Sequence, residues 1–406
     1  MPRPIPPSNT KVLLYHTSFS STLGGSEYIP LLFIAELQRA GCGVTLALNW
    51  KSDLARAAEL YNIDIDIRKL TVVQVKPKNR TLCKLDAILP FYTTRQLQKL
   101  AKQADICISA ANMIDFGKPA HHIVYLMRLF GDNAFNRFVM HEKPLSGLPL
   151  FKQKVRTFVA ETFLRPLLGM RSTRKILADQ REHIYVPSRY VADTMLKFYG
   201  PFNCTVFYPP TVFDSAPGAG IRRDPLRVIA LGRIQKEKKI LEIIDIVERA
   251  RKESGLDISL HLAGPVTPDE YGERVRRIAG DNPWIRLLGP IYNQDKADFL
   301  GSGEYAVHAR RDEEFGISVT EYLKAGLITI VPDEGGSMEI VDSPGLTYHT
   351  NEEAARILAR LLQDEAFRAE QLAHCTERAK LFTNSAYMEN QTRILNAILD
   401  GAGADS

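Results

Sequence analysis

Apolar positions along this chain fall into two alternating patterns: short unbroken apolar runs, and longer stretches where they recur every three to four residues. The runs at residues 11–17, 44–48, 106–110, 122–127 and 183–188 have the length and continuity of parallel strands buried on both faces. Helical periodicity separates them, from about 28 to 40 with a stop at Gly41, and from 189 to 199 with a stop at Gly200-Pro201. Residues 208–220 are rich in Pro, Gly and Ala and read as a linker.

A second βα series follows. It predicts strands at 227–231, 258–263, 285–288, 305–309 and 327–331. Helices are predicted at 240–252, 317–325, 352–363, 364–380 and 386–399, with one more opening at Gly335-Gly336. Such alternation on both sides of a linker predicts an α/β protein. Its two doubly wound, Rossmann-like domains, 1–205 and 206–385, would face each other across a cleft. A chain of 406 residues is also too long for one ordinary core.

Residues 128–181 interrupt the alternation with a mixture of Arg, Lys, Phe, Leu and Met. They read as a basic helical insertion, either a solvated cover for the domain or a surface that meets an anionic membrane or acceptor. Charge supports the second half of that reading. Residues 1–181 hold 26 Lys and Arg against 13 Asp and Glu, whereas the remainder holds 26 against 34. The basic half is expected to face something anionic. Nucleic acid is not expected, because the basic residues carry no readout motif.

The hydrophobic content of 45% and charged content of 24% are those of a globular protein. No apolar run reaches the ~20 residues of a membrane-spanning helix. The first seven residues, Pro-rich, lack the pattern of a secretion signal. Five scattered cysteines form no CxxC pair, so neither a disulfide framework nor a zinc site is expected. The expected location is the cytoplasm, with peripheral contact at the inner face of a membrane as the extension.

Three loops at predicted strand ends carry chemistry. Gly24-Gly25 follows the first strand, where glycines let backbone approach a ligand, or simply make a tight turn. Arg233 and Lys238 follow the first strand of the second domain and could neutralise a diphosphate, although a solvated turn would look the same. Glu313 and Glu321 flank a Phe315-Gly316-Ile317 step, one in a loop and one a turn inside the next helix. A helix N-terminus suits phosphate, and carboxylates on either side would accept from sugar hydroxyls. Gly335-Gly336 before Glu339 reads as a further flexible turn.

In this order and at these places, the motifs resemble retaining GT-B glycosyltransferases of the glycosyltransferase family 4 (group 1) type. The resemblance implies transfer of a hexosyl unit from a UDP- or GDP-sugar to a saccharide or lipid-linked saccharide, with retention of configuration. It implies that Arg233 and Lys238 hold the diphosphate. Phe315, Gly316 and Ile317 would present backbone N–H groups, while Glu313 contacts the donor sugar and Glu321 the ribose. The Gly24-Gly25 loop would close over the donor. The final helix, in 386–406, would cross back to the N-terminal domain. Without an Asp-x-Asp motif in a suitable loop, no metal or other cofactor is expected.

In one respect the chain departs from that family. Where relatives end a strand in histidine near the donor sugar, this chain has Met127 and Arg128, the expected donor-sugar contacts. His121 and His122 stand too early and are expected at the surface. The departure leaves a second reading open, a catalytically inactive sugar-nucleotide-binding or scaffold protein on the same fold.

Overall fold

The chain divides into two compact units, Met1–Tyr208 with Tyr387–Ser406, and Pro209–Ala386. The structure is a computed structural model. It describes residues 9–19, 25–77, 89–110, 113–124, 159–211 and 217–404.

Unit 1 runs β1 (Lys11–His16), α1 (Gly25–Arg39), β2 (Gly43–Leu48), α2 (Leu54–Leu60), β3 (Thr71–Gln74), α3 (Leu89–Ala101), β4 (Ile106–Ser109), β5 (His121–Ile123), α4 (Thr173–Ala178), β6 (His183–Val186), α5 (Arg189–Tyr199) and β7 (Cys204–Val206). Its sheet has the order β3-β2-β1-β4-β5-β6-β7, and every pairing is parallel. Central strands β1 and β4 are buried almost throughout, as their unbroken apolar runs require. The edges were harder to read. Strand β3 is mostly exposed and β7 is three residues long, so neither has an apolar run to betray it.

Two expectations for unit 1 are corrected. The stretch 112–119, whose Asn, Asp, Gly, Lys and Pro residues read in the sequence as a polar loop before β5, is core at Met113, Ile114, Asp115 and Phe116, none more than 2% exposed. His122 is not at the surface either. It is fully buried, with its Nε2 2.9 Å from Glu182 Oε2, while His121 stacks on His183 with centroids 4.4 Å apart.

These buried groups belong to a charge network centred on Arg171. Its guanidinium reaches Asp115 (2.9 Å), Asp179 (3.1 Å) and Glu182 (2.6 Å). The backbone N–H of Arg171 also donates to Asp115 at 2.6 Å. The network ties the end of the expected insertion to the sheet through β5 and β6. Between residues 159 and 171 the chain forms short helical turns that expose Phe163 and Leu167. The rest of the insertion lies outside the described residues.

Unit 2 runs β8 (Asp224–Leu231), α6 (Ile240–Ser254), β9 (Ser259–Ala263), α7 (Glu270–Asp281), β10 (Ile285–Gly289), α8 (Asn293–Ser302), β11 (Gly303–Val307), α9 (Ile317–Lys324), β12 (Ile328–Pro332), α10 (Gly336–Val341), β13 (Thr347–Tyr348), α11 (Asn351–Gln363) and α12 (Glu365–Ala379). Its parallel sheet has the order β10-β9-β8-β11-β12-β13. Ile229, Ala263, Phe299, Leu300, Ala306, Tyr322 and Leu327 pack into one core cluster beneath it. Each large member contributes about 1.5–3 kcal/mol by leaving water. Caps set the helix boundaries. Thr350 and Glu353 form a reciprocal capping box at α11, and Gly255, at φ +70°, ends α6. The last helix, α13 (Asn384–Ala404), begins in unit 2 and continues in unit 1, where Tyr387 stacks on Phe207 at 4.9 Å.

Candidate active site

Strand order places the site in unit 2. The chain winds from β8 to β9 and β10 on one side, and from β11 to β12 and β13 on the other. Ligands of open α/β sheets bind outside the carboxyl ends of the strands at such a reversal. Gly232-Arg233 leaves the end of β8, and His308 to Phe315 leaves the end of β11. The basic loop and the acidic loop therefore start side by side.

Backbone contacts hold both loops. Ile234 N–H donates to Pro265 O and Thr267 N–H to Ile234 O, at 2.9 and 3.1 Å, so the basic loop is zipped to the end of β9. Gly264 permits this, because a Cβ there would stand 1.9 Å from Gly232 O. The acidic loop rests on Gly335-Gly336. A Cβ on Gly335 would meet Arg311 O at 2.4 Å, and one on Gly336 would meet Glu314 O at 2.5 Å. Gly336 N–H donates to Glu313 O at 2.7 Å. The glycine pair, read from the sequence as a flexible turn, is the bed on which the Glu313 backbone is pressed.

Glu313 is 7% exposed, and its Oε2 accepts from Lys238 Nζ at 2.5 Å. Lys238 closes a short 3-10 turn, Lys236–Lys238, that turns it back across the sheet end. Arg310 Nη1 stands 3.5 Å from Glu313 Oε1 and Arg310 Nη2 3.5 Å from Glu314 Oε2. Burial pushes the Glu313 carboxyl up, but Lys238, Arg310 and His308 outweigh it and hold the group well below the usual carboxylate range. Glu314 moves the other way, raised by burial and by its neighbour Glu313. His308, 3.5 Å from Glu313 Oε2, is lowered to about 4 by burial and is therefore neutral at pH 7. The result is a fixed anion at Glu313 with a shared cation beside it.

Helix α9 starts directly after Gly316. The N–H groups of a first helical turn have no intrahelical partner, so Ile317 and Ser318 present theirs at the end of β11. Phe315 contributes backbone rather than ring, since its side chain is buried edge-on against Phe382 at 5.9 Å. Glu321 lies one turn inside α9, and its Oε1 accepts from Lys296 Nζ at 2.5 Å. The next residue, Tyr322, receives a hydrogen bond from Leu231 N–H on its hydroxyl at 2.6 Å, which pins α9 to the end of β8.

Lys238, Glu313, Phe315, Gly316, Ile317 and Glu321 thus converge on one sheet end. Arg233 lies in the same basic loop and is exposed. Gly25 opens α1 in unit 1. Gly24, Met127 and Arg128 lie outside the described residues. Sequence reasoning missed Arg310, His308 and Lys296. Arg310 was within reach, three residues before Glu313 in the same loop. Lys296 was not, because it lies on α8, a helix without strong periodicity. Among the described residues, no group of three or more His, Cys, Asp or Glu could hold a metal ion.

Residues 214–382 match the family model described as glycosyl transferases group 1. That match takes in nearly all of unit 2. Beyond it, the fold of the chain is that of GT-B glycosyltransferases. The crystal structure of Anabaena HepE in complex with UDP and glucose superposes with a TM-score of 0.64 at 14% identity, over 96% of this chain and 100% of that one. WaaG, a glycosyltransferase involved in lipopolysaccharide biosynthesis, gives 0.63 at 13% identity over the same shares. A curated relative, the GDP-Man:Man(3)GlcNAc(2)-PP-Dol alpha-1,2-mannosyltransferase of Caenorhabditis elegans, is 27% identical over 126 residues. That match covers 29% of this chain and 27% of the relative, so about a quarter of the relative's length is spanned. No described helix is long and apolar enough to cross a membrane.

Proposed function

We propose that the chain is a retaining hexosyltransferase that takes a sugar from a UDP- or GDP-sugar and passes it to a saccharide or lipid-linked saccharide. The observation that carries this reading is the Lys238–Glu313 pair at the carboxyl end of β11, beside the amide-rich start of α9. The group 1 glycosyltransferase match of unit 2 supports it. So does the likeness to structural relatives, one of which is a complex with UDP and glucose.

In this reading Glu313 accepts from hydroxyls of the donor sugar. The ammonium of Lys238 has three N–H donors, so it can keep Glu313 and still donate to the diphosphate. Arg233 adds a second cation, and the α9 N-terminus adds N–H groups. Charge grows on the leaving phosphate as the C1–O bond to it breaks, and these donors stabilise that charge. The acceptor oxygen bonds to C1 on the same face, and its proton passes to the departing phosphate oxygen. No enzyme nucleophile is required, unlike the paired carboxylates of most glycosidases. Glu321 accepts from the ribose. The N-terminal unit receives the acceptor, with its basic excess suited to an anionic lipid surface, and no divalent ion is needed.

A thermal-shift panel of nucleotide sugars, run with and without EDTA, tests the reading, because a ligand that binds only the folded state raises its melting temperature. One UDP- or GDP-hexose should raise Tm by several degrees regardless of EDTA. A panel with no response would remove the proposal. Binding without transfer or hydrolysis would favour the inactive binding protein.

A further inference from the structure

We propose that Lys296 is a positioning residue for nucleotide recognition, holding Glu321 aimed at the ribose. The inference rests on the proposed role of Glu321 and adds a residue that lies outside the acidic and basic loops. Lys296 sits in the first turn of α8, the helix after edge strand β10. Its Nζ stands 2.5 Å from Glu321 Oε1, with the two side chains 17% and 6% exposed.

The Glu321 carboxylate offers two hydrogen-bond acceptor oxygens, the kind of partner that ribose hydroxyls require. Lys296 occupies Oε1, and among the described residues no hydrogen bond takes Oε2. The carboxylate therefore has one oxygen anchored and one left for a ligand. Its backbone is equally fixed, because Tyr322 ties α9 to Leu231. Lys296 and Glu321 repeat, at the far end of the eight-residue spacing, what Lys238 does for Glu313. Each acid has its own lysine.

Glu321 should then lose its preference for a ribose when Lys296 loses its charge. Kd values for UDP and GDP, and for their 2′,3′-dideoxy forms, are measured by calorimetry on the full chain. The variants are Lys296→Met, Lys296→Arg, Glu321→Gln and the Lys296→Met/Glu321→Gln double. Wild type should bind its ribonucleotide about tenfold or more tighter than the dideoxy form, the scale of one hydrogen bond to a charged group. Lys296→Met should erase that difference and leave dideoxy binding unchanged, and Lys296→Arg should keep part of it. The double variant removes both buried charges, so it stays folded if the single one does not. It should bind no more weakly than Glu321→Gln alone.

Equal weakening of ribo and dideoxy forms by Lys296→Met would overturn the inference, as would a double variant clearly weaker than Glu321→Gln. A wild type that binds both nucleotides but ignores the ribose would also overturn it, while leaving the donor site in place. A wild type that binds neither would remove the underlying function along with it.

Discussion

Lys238 Nζ and Glu313 Oε2 lie 2.5 Å apart, 75 residues apart in sequence, joining the loop after β8 to the loop after β11. This pair makes the switch point of unit 2 a site rather than a gap between two loops. Removing only one partner leaves a charge in a place built for two. Lys238→Met should therefore lower the stability of unit 2 by about 2 kcal/mol, and Glu313→Gln should restore part of that loss in the double variant. Urea unfolding of the three variants measures it. Additive losses would show that the two side chains do not depend on each other.

Gly335 and Gly336 give a second prediction. Alanine at Gly336 must displace the Glu314 and Phe315 backbone, whose nearest atoms would lie 2.5 and 2.7 Å from the new Cβ. Gly336→Ala should cost about 1–3 kcal/mol and shift the acidic loop. Gly280→Ala is the control. It lies within α7, nothing stands within 4 Å of an added Cβ, and helix propensity alone should stabilise it by up to about 1 kcal/mol. Thermal melts of the two variants should move in opposite directions.

The buried histidines set the response to acid. His16, His261 and His308 are lowered to about 4 and His121 to about 3, in each case chiefly by burial. Between the ordinary histidine value near 6.5 and these values, the unfolded chain binds more protons than the folded one. Stability therefore falls as pH falls through that window, by about 1.4 kcal/mol per pH unit for each proton involved. Glu313 adds to the loss at lower pH. Its depressed carboxyl contributes stability that is complete above the unfolded value and disappears as pH drops through the folded one. Chemical denaturation from pH 7 to pH 4 should show this slope, and His308→Gln should make it shallower by about one proton.

Arg171 carries a prediction for unit 1. It faces three carboxylates, of which Asp115 and Glu182 are almost completely buried. Arg171→Met removes their shared guanidinium, leaving Asp115 only N–H donors and Glu182 only His122 and a backbone N–H, and should destabilise unit 1 by about 3 kcal/mol. Hydrogen exchange should then speed up in β5 and β6 while unit 2 keeps its protection. Uniform loss across both units would count against a local staple.

Much of this architecture could be read from the chain because its central strands announce themselves. β1, β4 and β12 are short, largely apolar runs buried almost throughout, and β8 and β11 are apolar and buried along their second halves. The edge strands β3, β7 and β13 are short or exposed and carry no such signal. The site followed a similar rule. Glu313, Glu321 and Lys238 stood out because they lie in, or one turn beyond, loops that strand order brings together. Lys296 and Arg171 did not, since each acts across the fold on a partner 8 to 56 residues away. His122 was misplaced for the same reason. Its partner Glu182 is 60 residues distant, and only that pairing makes a buried histidine affordable.

The most direct test of the account is the release of nucleoside diphosphate from the donor identified by the thermal-shift panel, compared between wild type, Lys238→Ala and Glu313→Ala. Folding of each variant is checked by circular dichroism. Both substitutions should slow release by a factor on the order of 10²–10³, the cost of losing one preorganised electrostatic contact. Folded variants that release the diphosphate at close to the wild-type rate would contradict it.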